Sequence, residues 1–157
     1  MPLSHDDEAI GFLITDTARL LRAGFDRAVA SESLGITPGE ARTLAHVARA
    51  GPVRQAALAE RMGLEAMTLS TYVDRLEERG LVLREVDPTD RRAKLVTMTP
   101  LAAEVLPRIR AVGEAVRKEA EAGIAPKDWA VFLATLKKLR DNLCEKRQET
   151  TRTRSAA

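Results

Sequence analysis

The spacing of apolar residues changes twice along this chain, and few folds accommodate both changes. Up to Gly80 the apolar side chains recur every three or four positions, the helical period. Leu81–Val86 and Ala93–Met98 are instead short apolar and β-branched runs, separated by the turn formers Asp87-Pro88-Thr89-Asp90. From Thr99 onward the helical period returns. One β-hairpin inside an otherwise helical molecule satisfies this pattern, so the expected class is mainly α (α+β).

The helical stretches have distinct lengths and boundaries. From Asp6 to about Ser31, Ile10, Leu13, Ile14, Thr17, Leu20, Leu21, Gly24, Phe25 and Ala28 fall on one stripe. A helix of about 25 residues is about 37 Å long and needs something long to cover that stripe. Thr37-Pro38-Gly39-Glu40 has the chemistry of a new helix start, with Thr37 as N-cap, Pro38 at the first helical position and Glu40 completing a capping box. That helix carries Leu44, Val47 and Ala48 and stops before Gly51-Pro52. A short helix follows from Arg54 to about Met62, with Leu58 and Met62 inward, and Gly63-Leu64 makes a tight turn. The next helix, about Glu65 to Arg79, buries Leu69, Val73, Leu76 and part of Tyr72, and Gly80 ends it. After the hairpin, Thr99-Pro100 is expected to restart helix by the same cap-plus-proline logic. Val105, Ile109, Val112, Val116 and Ala120 form its inner stripe up to Gly123, and Pro107 is expected to kink it or delay its regular start. Pro126 opens a last helix with Trp129, Phe132, Leu133, Leu136, Leu139 and Leu143, expected to fray past Lys146.

Composition removes several function classes. The 157 residues are the size of one domain. Cys144 is the only cysteine, so neither an intramolecular disulfide nor a thiolate zinc cluster can form. His5 and His46 are the only histidines and the nine glycines never fall as GxG, which leaves no zinc-protease motif and no glycine-rich phosphate loop. No metal site, cofactor or enzymatic activity is expected. No apolar run approaches the roughly 18 residues that span a bilayer. The acidic start, with Asp6, Asp7 and Glu8, has the wrong sign for a secretory signal, so a cytoplasmic location away from membranes is expected. Lysine plus arginine exceed aspartate plus glutamate by 25 − 23, a net charge of +2. A polyanionic partner is therefore a question of where the charges sit, not of their sum.

Helix, tight turn, helix, hairpin is the connectivity of a winged helix-turn-helix, in which the second helix enters a DNA major groove and the hairpin reaches the adjacent backbone or minor groove. With Leu69, Val73 and Leu76 inward, Met67, Thr71 and Asp74 point outward, flanked by Thr68, Ser70 and Arg75. Small hydroxyl side chains allow close approach to base edges and phosphates, and Arg75 can reach a phosphate or a guanine. Asp74 is unfavourable against phosphate and is expected to orient Arg75 or a hairpin arginine instead. The same pattern also describes an ordinary solvated amphipathic face. Asp90-Arg91-Arg92 is expected at the hairpin tip, where arginines have no core to cover. There an arginine is suited to the negative potential of a narrow minor groove, with Asp90 fixing the fork of Arg92. Its bland counterpart is a surface ion pair worth under about 1 kcal/mol.

The residues of this segment carry a family resemblance. Leu58-Ala59-Glu60-Arg61-Met62-Gly63-Leu64, Val73-Asp74-Arg75-Leu76-Glu77-Glu78-Arg79-Gly80-Leu81-Val82 and Asp87 through Thr99, with the D-x-R-[AS] mark as Asp90-Arg91-Arg92-Ala93, resemble the MarR family of bacterial transcriptional regulators. Leu34-Gly35-Ile36-Thr37-Pro38 resembles the family's lead-in to its second helix. The resemblance covers about residues 34–99, and the flanking helices match by position and period alone. It departs after the wing, where Thr99 is followed by Pro100-Leu101-Ala102-Ala103 and not by an early glycine. It implies an obligate homodimer, a recognition helix over Glu65–Arg79, Arg92 in the minor groove, and Arg54 and Gln55 near phosphates.

The expected organisation is one domain over 1–157, with dimerisation helices 6–33 and 101–147 around a winged helix-turn-helix at 37–99. Dimerisation also has a physical argument, because a small winged helix cannot cover the outer stripes and a second copy can. A two-fold axis sets two recognition helices about 34 Å apart, which calls for a pseudo-palindromic operator in double-stranded DNA. The resemblance further implies a repressor released by a small phenolic or aromatic anionic effector, for which His46 and Arg22 are candidate contacts; a half-buried structural role is the plainer account of His46. Two alternatives stay open: a winged-helix protein-interaction module without DNA binding, and a redox sensor acting through Cys144.

Overall fold

The computed structural model describes residues 9–155, with side-chain surroundings for residues 9–148. Asp6, Asp7 and Glu8, expected at the start of the first helix, lie outside the described residues. By compactness the chain divides into a unit ending at Lys118 and a unit beginning at Glu119.

The first unit opens with α1, Ile10–Ser31, whose Val29 reaches the core while Phe25 and Ala28 pack against it half-buried. Ile10, Phe12, Leu13, Ile14, Leu20 and Leu21 stay exposed on the same helix. α2, Pro38–Ala50, starts as the sequence predicts: the Thr37 hydroxyl accepts the Glu40 N–H at 3.3 Å, and the Glu40 carboxylate accepts the Thr37 N–H at 2.9 Å. α3, Gln55–Met62, stops at Gly63, whose left-handed φ of 62° suits a residue without Cβ. α4, Ala66–Glu78, buries Leu69, Val73 and Leu76 completely against Leu44, Val47 and Leu58 of the same core.

The hairpin is part of a three-stranded antiparallel sheet. Its strands are β1, Val53–Arg54, β2, Val82–Asp87, and β3, Asp90–Met98, in spatial order β1-β3-β2. β1 was not foreseen from the sequence, where Arg54 is placed at a helix start. Two residues carry no periodicity, yet Val53 pairs with Val96 and Arg54 with Leu95. The turn also differs from expectation. Only Pro88 and Thr89 form it, and Asp87 pairs with Asp90; Arg91, Arg92 and Ala93 then fall in a register irregularity before Lys94 pairs with Val86, so the arginines stand beside the turn and not in it. Asp87 shapes that turn: its Oδ1 accepts both the Thr89 N–H at 2.8 Å and the Thr89 hydroxyl at 2.7 Å. The Thr89 backbone and hydroxyl bonds hold the Asp87 carboxyl at about 2, with burial opposing and Arg54 assisting.

α5, Ala102–Glu121, contains Pro107 and buries Ala102, Leu106, Ile109 and Val112. Thr99 does not cap it. The Thr99 hydroxyl donates to the Gly80 carbonyl at 2.6 Å and its N–H to Leu81 at 3.1 Å, so it closes the strand end and helix begins three residues later. The second unit is essentially α6, Pro126–Ser155, which continues beyond the expected fraying point at Lys146. Val131, Phe132, Leu136 and Leu143 are exposed on it, and the rings of Trp129 and Phe132 lie 5.4 Å apart. No helix among the described residues is long and apolar enough to cross a membrane.

Two outcomes follow for stability. A Cβ on Gly39 would come within 2.4 Å of Tyr72 Cζ, so Gly39 is what lets α2 lie against the ring of α4. Alanine there gains up to about 1 kcal/mol of helix propensity but costs about 1–3 kcal/mol in overpacking, and the clash wins. Urea denaturation of Gly39→Ala is expected to show this net loss, and Gly39→Ala with Tyr72→Leu to lose less than the sum of the two singles; strict additivity refutes the contact. Asp87 sets the second outcome. Its folded value lies below the ordinary 3.8, so its contribution to the turn is complete above pH 3.8 and is lost as pH falls through about 2. The Thr89 amide resonance should titrate with a midpoint near 2, and a midpoint near 3.8 would contradict the turn geometry.

Candidate nucleic-acid interface

The outward face of α4 carries the residues that the helical phase predicts. Met67 is 83% exposed, Thr68, Thr71, Asp74 and Arg75 are exposed, and Ser70 is half-buried. The Thr71 hydroxyl donates back to the Met67 carbonyl at 3.1 Å, which holds it against the helix with its oxygen lone pairs outward. The half-buried Ser70 accepts a bond from Arg84 at its backbone carbonyl, at 3.3 Å.

Arg84, on β2, is the residue that sequence reasoning missed. Its Nη1 lies 2.7 Å from Glu77 Oε2, its Nη2 2.6 Å from Asp74 Oδ1, and its Nε donates to Gln55 Oε1 at 3.0 Å. Its backbone N–H also donates to Glu77 Oε1 at 3.0 Å. Burial alone would lower its pKa, but the bonds and charges of Glu77 and Asp74 raise it above the ordinary value. The hairpin arginine that Asp74 orients is therefore Arg84, and the acid that looked unfavourable on a phosphate-facing helix is neutralised. A signal existed in the sequence: Val82, Arg84 and Val86 alternate on one strand face, and a cation between two apolar residues there needs acceptors.

The wing presents its cations differently from expectation. Arg91 and Arg92 are exposed, and among the described residues neither side chain forms an ion pair. Asp90 does not hold the fork of Arg92. Its Oδ1 accepts the Arg92 backbone N–H at 3.0 Å, because that N–H beside the turn is the nearer donor, and the guanidinium stays free to reach outward. Arg54 and Gln55 have partners inside the lobe: Arg54 Nε lies 2.6 Å from Asp87 Oδ2 and Nη2 3.2 Å from Thr89 Oγ1, while Gln55 accepts from Arg84. About half of the Arg54 side chain remains in solvent.

The candidate effector contacts are less developed. His46 is half-buried on α2, and burial first, then the charges of Arg49, Arg61 and Arg42, keep its pKa below the ordinary 6.5. It is neutral at pH 7, as a structural histidine would be. Arg22 is exposed on α1, and Cys144 is exposed on α6. Among the described residues no three His, Cys, Asp or Glu side chains gather to hold a metal ion.

Comparison with known proteins agrees with this geometry. The model of the MarR family matches residues 34–93, which run from the approach to α2 through the wing arginines. A Thauera aromatica protein described as a transcriptional regulatory protein for the hcr operon is 31% identical over 105 residues, or 67% of this chain and 63% of that protein. The chain thus spans under two thirds of that relative's length. The crystal structure of a MarR-family transcriptional regulator from Rhodococcus sp. RHA1 is 28% identical, with a TM-score of 0.73 over 88% of this chain and 96% of that one. CouR from Rhodococcus jostii RHA1, crystallised with p-coumaroyl-CoA, is 28% identical, with a TM-score of 0.67 over 84% and 92%. An exposed, hydroxyl-rich second helix joined to an arginine-bearing wing, in a chain that matches these proteins in sequence and fold, belongs to the MarR family of winged-helix transcriptional regulators.

Proposed function

We propose that the chain is a homodimeric, sequence-specific regulator that reads a pseudo-palindromic operator in double-stranded DNA and represses transcription until a small effector releases it. The reading implies work in the cytoplasm, where the DNA is, and no catalysis. One observation carries it: Arg91 and Arg92 stand exposed without ion pairs on the wing, beside a helix on which two acids, Asp74 and Glu77, are already paired with Arg84. A merely solvated surface has no need to neutralise its acids while leaving its arginines free. In this reading Met67, Thr68, Ser70, Thr71 and Arg75 face the major groove, and Asp90, Arg91 and Arg92 belong to the wing contact. Arg54 and Gln55 support the wing and lie near phosphates.

Homodimerisation is supported by the apolar side chains that α1 and α6 each leave exposed, among them Phe12, Leu13, Leu20, Phe132 and Leu143. Such residues on a folded chain invite a second copy. Within one domain, dimerisation segments 6–33 and 101–147 then flank the winged helix-turn-helix of 37–99. CouR holds an acyl-CoA with an aromatic acyl group, which supports a phenolic or aromatic anion as the class of effector here. His46 and Arg22 remain its candidate contacts.

Two measurements test the proposal. Light scattering at micromolar concentration should give about twice the 17.2 kDa chain mass, and a dominant monomer would overturn the dimer. DNA recovered from a randomised pool should bind the wild-type protein with a steep salt dependence, and Arg92→Ala should weaken that binding by at least about tenfold and flatten the salt slope. Affinity unchanged by Arg92→Ala removes the wing from the mechanism.

A further inference from the structure

Glu40 does more than cap α2. Its side chain has no exposure, although a capping-box glutamate needs none of this burial to do its work. Oε2 accepts the Thr37 N–H, but Oε1 is buried and has no hydrogen-bond partner. A buried carboxylate with an orphaned oxygen is costly unless cations face it. Two do, Arg75 on α4 and Arg79 just past its end: Arg75 Nη1 lies 3.7 Å from Oε1 and Arg79 Nε 3.9 Å from Oε2. Both arginines are about half exposed, at 54% and 48% of the side chain, so each faces the buried charge at ion-pair distance, beyond hydrogen-bond reach, and is open to solvent on its other side.

The carboxylate cannot move to suit them. The capping box fixes its position on the α2 backbone, and Gly39 beside it lies flush against the Tyr72 ring of α4. Two residues further along, Arg42 pairs with Asp26 of α1. The first half of α2 is thus tied to α1 on one side and faces Arg75 and Arg79 on the other. A free arginine loses rotamer entropy when it is fixed by binding, and a side chain ordered beforehand does not lose it again.

We propose that Glu40 is a positioning residue that presets Arg75, with Arg79 beside it, for recognition. The inference rests on the DNA-reading role proposed for Arg75. The competing account, in which Glu40 is only a cap, gives the opposite sign. A carboxylate near DNA repels phosphate, so removing its charge would then tighten binding to every sequence.

Glu40→Gln separates the two, because the amide oxygen can still accept the Thr37 N–H while the charge is gone. Circular dichroism and light scattering should find fold and assembly as in the wild type. Affinity for a DNA sequence selected from a randomised pool should fall by about tenfold, while affinity for a scrambled duplex holds or rises, so the specificity ratio drops. In an Arg75→Ala background the same substitution should leave the ratio unchanged. Equal tightening on both duplexes, or additive effects of the two substitutions, would overturn the proposal. A readout without DNA complements this. Slow rotation of the Arg75 guanidinium, seen by side-chain 15N NMR in the wild type, should become fast in Glu40→Gln, and identical spectra would also overturn it. If no sequence is selected by the wild type, the DNA-reading role falls, and the guanidinium spectra alone decide whether Glu40 holds Arg75.

Discussion

The five-donor guanidinium of Arg84 is the interaction on which the joint between the wing and the helix-turn-helix depends. An arginine on an inward strand position has to satisfy its donors locally, and Arg84 does so with acceptors from α3 and from three places on α4. Those bonds join the outer strand of the wing to both helices of the helix-turn-helix. The exposed face of α4 and the arginines of β3 consequently keep a defined separation, since neither can shift without breaking a charge-assisted bond worth about 1.5–3 kcal/mol. The same side chain sets the sign of the surface. Asp74 and Glu77 are turned from repulsive groups into structural ones, while Arg75, Arg91, Arg92 and Lys94 remain exposed.

Much of this was legible in the sequence wherever local chemistry decides. The Thr37–Glu40 capping box, the stop at Gly63 and the inward phase of Leu69, Val73 and Leu76 depend on neighbours within four residues, and each is found as expected. What escaped depends on partners distant in the chain. β1 exists only because Val53 meets Val96, and Thr99 gives up its capping role because the Gly80 carbonyl is within reach. Arg84 meets Gln55 across 29 positions. The wing shows a subtler case. Its arginines are recognisable by type, but their place just outside the turn depends on how tightly Asp87 closes it on Thr89 and on the shift in register before Lys94.

The division of apolar residues between lobe and flanks is equally instructive. Leu44, Leu58, Leu69, Leu76, Val82 and Val96 complete a core with no help from the exposed side chains at the start of α1. The lobe's packing therefore does not use Ile10, Phe12, Leu13 or Leu20, and their hydrophobicity is available for another surface. α1 still reaches the lobe through Val29 and through the Asp26–Arg42 pair, near its C-terminal end. One helix thus serves two purposes along its length.

The sheet has a mechanical consequence in its unequal strand lengths. β1 pairs with β3 at Leu95 and Val96, so the base of the wing is three strands wide, whereas beyond Leu95 the ribbon has two. A two-stranded ribbon twists more readily than a wider sheet. The wing is in effect a cantilever, clamped at its root and compliant toward its end. Arg54 runs from the clamp to Asp87 and Thr89 as a single diagonal strut. Bending at the tip is thereby restrained by the strut, while torsion is left to the two-stranded end beyond Leu95.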